Sequence, residues 1–121
     1  MIQSLWISLG AVLGANARYW LGLWLAQQVS TAFPLATFLI NGTGSFLLGL
    51  LAGYTQTRPN PSLTLLFGVG FCGSFTTFST FSLEILNLWR NGNGWLALAY
   101  IVASVVIGVG GAWLGMRLGN P

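Results

Sequence analysis

Four long apolar runs, separated by short polar connections, set the layout of this chain. They extend from about Leu5 to Gln28, Pro34 to Tyr54, Ser62 to Trp89 and Trp95 to Arg117. The separators are Val29 to Phe33, Thr55 to Pro61 with its Arg58-Pro59-Asn60-Pro61 turn, and Arg90-Asn91-Gly92-Asn93-Gly94. Each run meets the roughly 20 residues that a helix needs to cross a hydrocarbon core about 30 Å thick. The pattern predicts one four-span membrane domain over residues 1–121, with both termini on the same side. Pro34 suits the first turn of the second helix, where its missing N–H is not needed. Ala15-Asn16-Ala17 imitates a signal cleavage site, but no basic residue precedes the first run, so a retained helix is expected.

Composition agrees and removes most chemistry. Hydrophobic residues make up 55% of the 121 positions and charged residues 4%, against about 25% charged in soluble domains. The charges are Arg18, Arg58, Arg90, Arg117 and Glu84, and there is no His, Lys or Asp. With one carboxylate and one cysteine, neither a paired-carboxylate site nor a Ser-His-Asp triad can be built. Zinc and haem sites lack ligands for the same reason. No GxxxxGK[ST] or GxGxxG string is present to cradle a phosphate. The chain is therefore not expected to be an enzyme.

Trp6, Trp20, Trp24, Trp89, Trp95 and Trp113 all lie near proposed helix ends, as an interfacial belt would. The 17 glycines are about twice the average usage of about 7%. Several stand four apart: Gly10 and Gly14, Gly49 and Gly53, then Gly111, Gly115 and Gly119. That spacing predicts close helix–helix approach in lipid. Arg58 and Arg117 fall on the side of the termini, Arg90 on the other, with Arg18 joining it if that helix end reaches the interface. So weak a bias permits insertion in both orientations, and an antiparallel homodimer is expected.

The third run departs from a plain lipid-facing helix. Its 28 residues would measure about 42 Å. Gly68-Val69-Gly70-Phe71-Cys72-Gly73 leads into Ser74-Phe75-Thr76-Thr77-Phe78-Ser79-Thr80-Phe81-Ser82, hydroxylic except for three Phe. So polar a stretch at membrane depth should face protein or a water-filled path. Two readings stand side by side. A helix broken near Gly70 to Gly73 would free carbonyls for a cation and N–H groups for an anion. A continuous helix would return the hydroxyls to their own carbonyls four residues back. Phe75, Phe78 and Phe81 recur every three residues, and their electropositive edges could meet an anion or simply pack. Asn41, mid-span on the second helix, needs buried partners and could also donate to an anion. The net charge of +3 favours anions over cations.

Three strings in this chain are characteristic together: Gly14-Ala15-Asn16-Ala17-Arg18-Tyr19, Asn41-Gly42-Thr43-Gly44-Ser45-Phe46, and Gly70-Phe71-Cys72-Gly73-Ser74-Phe75-Thr76-Thr77-Phe78-Ser79-Thr80-Phe81-Ser82-Leu83-Glu84. Over essentially its whole length the chain resembles the Fluc (CrcB) family of fluoride-specific channels. The resemblance implies an all-α membrane protein of four transmembrane helices, the third broken mid-membrane, assembled as an antiparallel dual-topology homodimer with two fluoride pores. It implies a structural, untransported sodium ion at the dimer centre, held by carbonyls that match Gly73 and Thr76. The matching pore residues are Asn41, Phe78 and Phe81, with hydroxyls from Ser79, Thr80 and Thr37 and polar groups from Tyr100 and Ser104. Gly108, one turn beyond Ser104, offers no hydroxyl. The implied activity is passive export of toxic fluoride across the cell inner membrane.

Two charges have open roles. Arg18 matches the family's first-helix arginine and is placed at the anion entrance, or it snorkels to the interface. Glu84 would repel fluoride, so a structural or gating role is expected, protonated or hydrogen-bonded to a hydroxyl. The alternative function is a proton-coupled exporter of the small multidrug resistance type. That class shares only the architecture, because it relies on a first-helix acid where this chain has Arg18.

Overall fold

The computed structural model describes residues 1–120, and those residues form helices and connections without a strand. Helix α1 spans Ile2–Gln28 and α2 spans Leu35–Thr57. The third apolar run begins as α3, Pro61–Leu63, widens into a π-helix over Thr64–Cys72, and continues as α4, Gly73–Phe75. After Thr76 and Thr77 comes α5, Phe78–Arg90, then α6, Gly94–Gly119. Three stretches are long and apolar enough to cross a membrane: Leu35–Thr57, Pro61–Arg90 and Gly94–Gly119. Helix α1 has the length, 27 residues, but Ser8, Asn16 and Arg18 dilute it, and it is not among the three.

Local chemistry sets the element ends. Pro34 stands just before α2 as its cap, and its carbonyl accepts from the Phe38 N–H at 3.1 Å. The side chain of Asn60 accepts from the Leu63 N–H at 3.0 Å, satisfying one of the donors that a helix start leaves bare, while Pro61 follows at the first turn. The turn into α6 passes through Gly92 at φ +80, a left-handed conformation that glycine adopts without penalty.

Glycine contacts organise the helices into two tightly packed pairs. On α2 and α6, a Cβ added at Gly49 would strike the carbonyl of Ala112, and one at Gly53 that of Met116. In return, Gly115 and Gly119 lie against the carbonyls of Phe46 and Leu50. On α1, Gly10 and Gly14 lie against the carbonyls of Leu66 and Phe71 in the π-helix. These are the positions four apart in the sequence. In lipid, where apolar tails give no preference for protein over solvent, such backbone approach is what holds helices together.

Polar groups are few in the interior, and the outer surface is apolar. Trp20, Trp24, Trp89, Trp95 and Trp113 are all exposed, Trp95 to 83%. A buried cluster of Leu88, Ala97 and Tyr100 lies between α5 and α6, with Phe33, Phe38, Phe81, Ile85 and Leu96 against it. Tyr100 is fully buried, and this cluster positions it for the site below.

Candidate functional site

The glycine-rich stretch Gly70 to Gly73 is helical, in wide π turns that pass into α4. Helical geometry is instead lost at Thr76 (φ −79, ψ 157) and Thr77 (φ −149, ψ 115). A side chain on another helix takes up the backbone groups freed there. The Asn41 Oδ1 accepts from the Thr77 N–H at 2.8 Å, and the Asn41 Nδ2 donates to the Thr77 carbonyl at 3.1 Å. Because a peptide N–H meets one end of the amide and a carbonyl the other, the orientation of the Asn41 amide is set by chemistry.

This pair has a consequence for two carbonyls. In a continuous helix the Thr77 N–H would bond to the Gly73 carbonyl and the Thr80 N–H to that of Thr76. Here the first goes to Asn41, and the second goes to the Thr77 hydroxyl at 3.3 Å. The Gly73 and Thr76 carbonyls thus lose their usual donors in one short segment. Such oxygens suit a hard cation in donor chemistry. The Thr77 hydroxyl in turn caps α5 and donates to the Thr80 hydroxyl at 3.1 Å.

Beside this segment is a cavity of about 330 Å³. Asn41 and Ser45 of α2, Thr76 and Thr77, Phe78 and Phe81 of α5, and Ser104 and Gly108 of α6 line it. The Ser104 hydroxyl is buried and has no hydrogen-bond partner among the described residues. An orphan hydroxyl is costly, about 1–3 kcal/mol, unless something else comes to it. No acidic or basic side chain lines this cavity. The two phenylalanines stand with ring centroids 6.0 Å apart, tilted by 44°. Phe78 is 78% exposed on this single chain, so its ring projects away from the helices that carry it.

A second polar cluster lies behind Phe81. The Thr37 hydroxyl donates to the Glu84 Oε1 and the Tyr100 hydroxyl to its Oε2, each at 2.8 Å. Phe81 joins the two clusters, its ring packing edge-on against Tyr100 at 5.0 Å. Phe33 covers Tyr100 from the α1–α2 connection, also edge-on, at 5.3 Å. Glu84 further borders a cavity of about 320 Å³ that Ser30, Thr31 and Phe33 help to line. The carboxylate therefore has both oxygens engaged by hydroxyls while one flank faces the α1–α2 connection.

The residues singled out in the sequence thus divide three ways. Asn41, Thr76, Phe78, Phe81 and Ser104 meet at one cavity, and Thr37, Glu84 and Tyr100 form the cluster beside it. Ser79 and Thr80 are exposed on α5 and do not line the cavity, Thr80 serving the cap instead. Arg18, half-buried on α1, touches neither cluster, and Gly73 contributes backbone near the break in helical geometry. Sequence reasoning missed Ser45, whose hydroxyl lies 3.6 Å from where a Cβ on Gly108 would stand. A hydroxyl absent at Gly108 is present directly across from it. The available signal was spacing, since Ser45 follows Asn41 by four residues on the same helix face.

Comparison with known proteins identifies the family. Residues 5–116 match the family described as "CrcB-like protein, Camphor Resistance (CrcB)". A protein of Acidobacterium capsulatum named "Fluoride-specific ion channel FluC" is 42% identical over 121 residues, covering 98% of this chain and 97% of the relative. A relative of the same name from Oceanobacillus iheyensis is 45% identical, covering 93% of this chain and 87% of its own length. "Fluoride-specific ion channel FluC 2" of Bacillus cereus is 43% identical over 99% of both chains. These relatives are named as channels, not enzymes. With the match running along nearly its whole length, this multi-pass membrane protein belongs to the CrcB family.

Proposed function

We propose that the protein is a fluoride-specific channel that lets fluoride leave the cell down its gradient, across the inner membrane. The observation that carries this reading is the buried, unpartnered Ser104 hydroxyl facing a cavity with Asn41, Phe78 and Phe81 and no charged side chain. Fluoride is small and strongly hydrated, and a charge taken from water without replacement partners costs many kcal/mol. Hydroxyls of Ser104 and Ser45, the second Asn41 amide hydrogen and positive ring edges are the groups that replace water. The names of the relatives support the choice of anion.

The wider assembly belongs to the same proposal. Four spans, α1 included, form each copy, and two copies pair antiparallel with a pore on each side. The third span is a broken membrane helix, with its break at Thr76 and Thr77 rather than at the glycines. A sodium ion at the dimer centre is held by the Gly73 and Thr76 carbonyls, an assignment supported by the diversion of their helical donors. When bound, that ion supplies fixed positive charge and a cross-brace, and it is not transported. The Thr37–Glu84–Tyr100 cluster continues the polar track beyond Phe81, Ser79 and Thr80 lie along its outer face, and Arg18 stands toward the entrance.

The test is fluoride efflux from liposomes holding the purified protein, read with a fluoride electrode and a chloride control. Rapid fluoride loss with chloride retained is the expected result. Intact protein that releases no fluoride in sodium medium would sink the channel reading.

A further inference from the structure

An apolar groove of about 680 Å³ lies between α2, the π-helix and the end of α6. Leu51, Phe67, Phe71 and Leu118 form its walls, and Tyr54 and Arg58 stand where α2 ends. The Arg58 guanidinium is drawn over the Tyr54 ring, 5.3 Å from its centroid, so the positive charge sits on the groove and does not extend away from it. Arg58 follows the last turn of an apolar helix long enough to span the bilayer, which places it at headgroup depth.

No acidic side chain of this protein is available to meet that charge. Glu84 is the only acidic side chain in the sequence, and both of its oxygens are taken by Thr37 and Tyr100. A second copy of the chain therefore brings no acidic side chain to Arg58 either. The membrane does supply an anion, the lipid phosphate, which a guanidinium matches in a planar fork. In an anionic lipid no headgroup cation offsets that charge, whereas in a zwitterionic one the headgroup ammonium does.

We propose that this groove is a binding site for one anionic phospholipid. One of its acyl chains lies along Leu51, Phe67, Phe71 and Leu118, and its phosphate rests on Arg58. The site is separate from the cavity around Ser104, with which it shares no lining residue. The inference does not depend on the anion that the channel carries.

Native mass spectrometry of the purified, delipidated protein provides the test, with phosphatidylglycerol and phosphatidylcholine of identical acyl chains added in turn. Phosphatidylglycerol is expected to bind about fivefold more tightly, the increment of one interfacial arginine. Arg58→Gln should abolish the preference, Arg58→Lys should keep most of it, and Leu118→Trp should weaken both lipids by narrowing the groove. Arg58 and Leu118 are exposed, so these variants are expected to fold. An undiminished preference in Arg58→Gln overturns the site. So does a Leu118→Trp variant that changes oligomeric state while binding lipid as before, because the groove would then be an interface between copies.

Discussion

The Asn41 side chain grips the backbone of Thr77 at both its N–H and its carbonyl, across 36 residues of sequence. One amide thereby does the work of a local strand pairing inside a helical protein. It satisfies two backbone groups that the extended geometry at Thr76 and Thr77 would leave bare at membrane depth, where each would cost several kcal/mol. Asn41→Ala should therefore destabilise the fold by about 2–6 kcal/mol, taking about 1–3 kcal/mol for each of the two groups left unsatisfied. It should also abolish fluoride efflux. Thermal unfolding in detergent and liposome efflux measure the two effects, and unchanged stability would mean that Asn41 does not hold this segment.

Ser104→Ala has the opposite sign for stability. Removing a buried hydroxyl without a partner should leave the fold unchanged or stabilise it by up to about 1 kcal/mol. Efflux should nonetheless slow by at least about tenfold, since 1.4 kcal/mol of lost anion contact has that effect. Full flux in a stable Ser104→Ala protein would show that the anion does not use this hydroxyl.

Phe78 and Phe81 separate in the same way. Phe78→Ile should cut fluoride efflux with little loss of stability, because the ring is mostly exposed on its own chain. Phe81→Ile should cut efflux and also cost about 1–2 kcal/mol, since its ring packs on Tyr100. Comparing unfolding and flux for both variants checks this. Wild-type flux in both would remove the rings from the permeation path.

Glu84→Gln decides between channel and proton-coupled exporter. Glutamine keeps one oxygen to accept from Thr37 or Tyr100, but its amide nitrogen cannot accept from the other. One of two hydrogen bonds is lost, and a channel should retain reduced passive fluoride flux. An antiporter that exchanges protons through this carboxyl would lose gradient-driven transport entirely. Fluoride flux measured with and without an imposed proton gradient distinguishes them.

The glycine contacts give a prediction about architecture alone. Gly49→Ala or Gly115→Ala would drive a methyl into the facing carbonyl of Ala112 or Phe46. Each should cost about 1–3 kcal/mol, the usual range for overpacking a close contact. Gly22→Ala, with open space around it, should be neutral or slightly stabilising. Equal unfolding temperatures for all three variants would contradict the close packing of α2 on α6.

Much of this layout was legible in the sequence. The apolar runs placed the helices to within a few residues, and the four-residue glycine spacing marked the faces on which they meet. The position of the interruption was less accessible. A run of glycines lowers helix propensity by up to about 1 kcal/mol each, which directs attention to Gly70 and Gly73. Lipid, however, penalises bare backbone far more than that, so the helix opens only where something replaces its hydrogen bonds. That place is Thr77, where Asn41 pairs with the backbone from α2 and the Thr77 hydroxyl caps α5, and a stretch so rich in hydroxyls does not single it out. Ser45 was hidden for a related reason: its relevance comes from facing Gly108 on another helix.

The two glycine-packed pairs, α1 with the π-helix and α2 with α6, act as stiff plates with little internal compliance. Asn41 and Ser104 ride on one plate, while the chain that leads into Thr77 comes from the other. Gly68 packing on Leu48 and Leu51 and Gly44 packing on Phe75 also join the plates, and the Asn41–Thr77 pair is the polar rivet between them. Hydrogen bonds of this type hold between about 2.7 and 3.2 Å, so the rivet tolerates roughly half an ångström before it fails. The part of the cavity wall that Thr77 forms is thereby held to that same narrow tolerance, and its dimensions become a property of the scaffold that carries it.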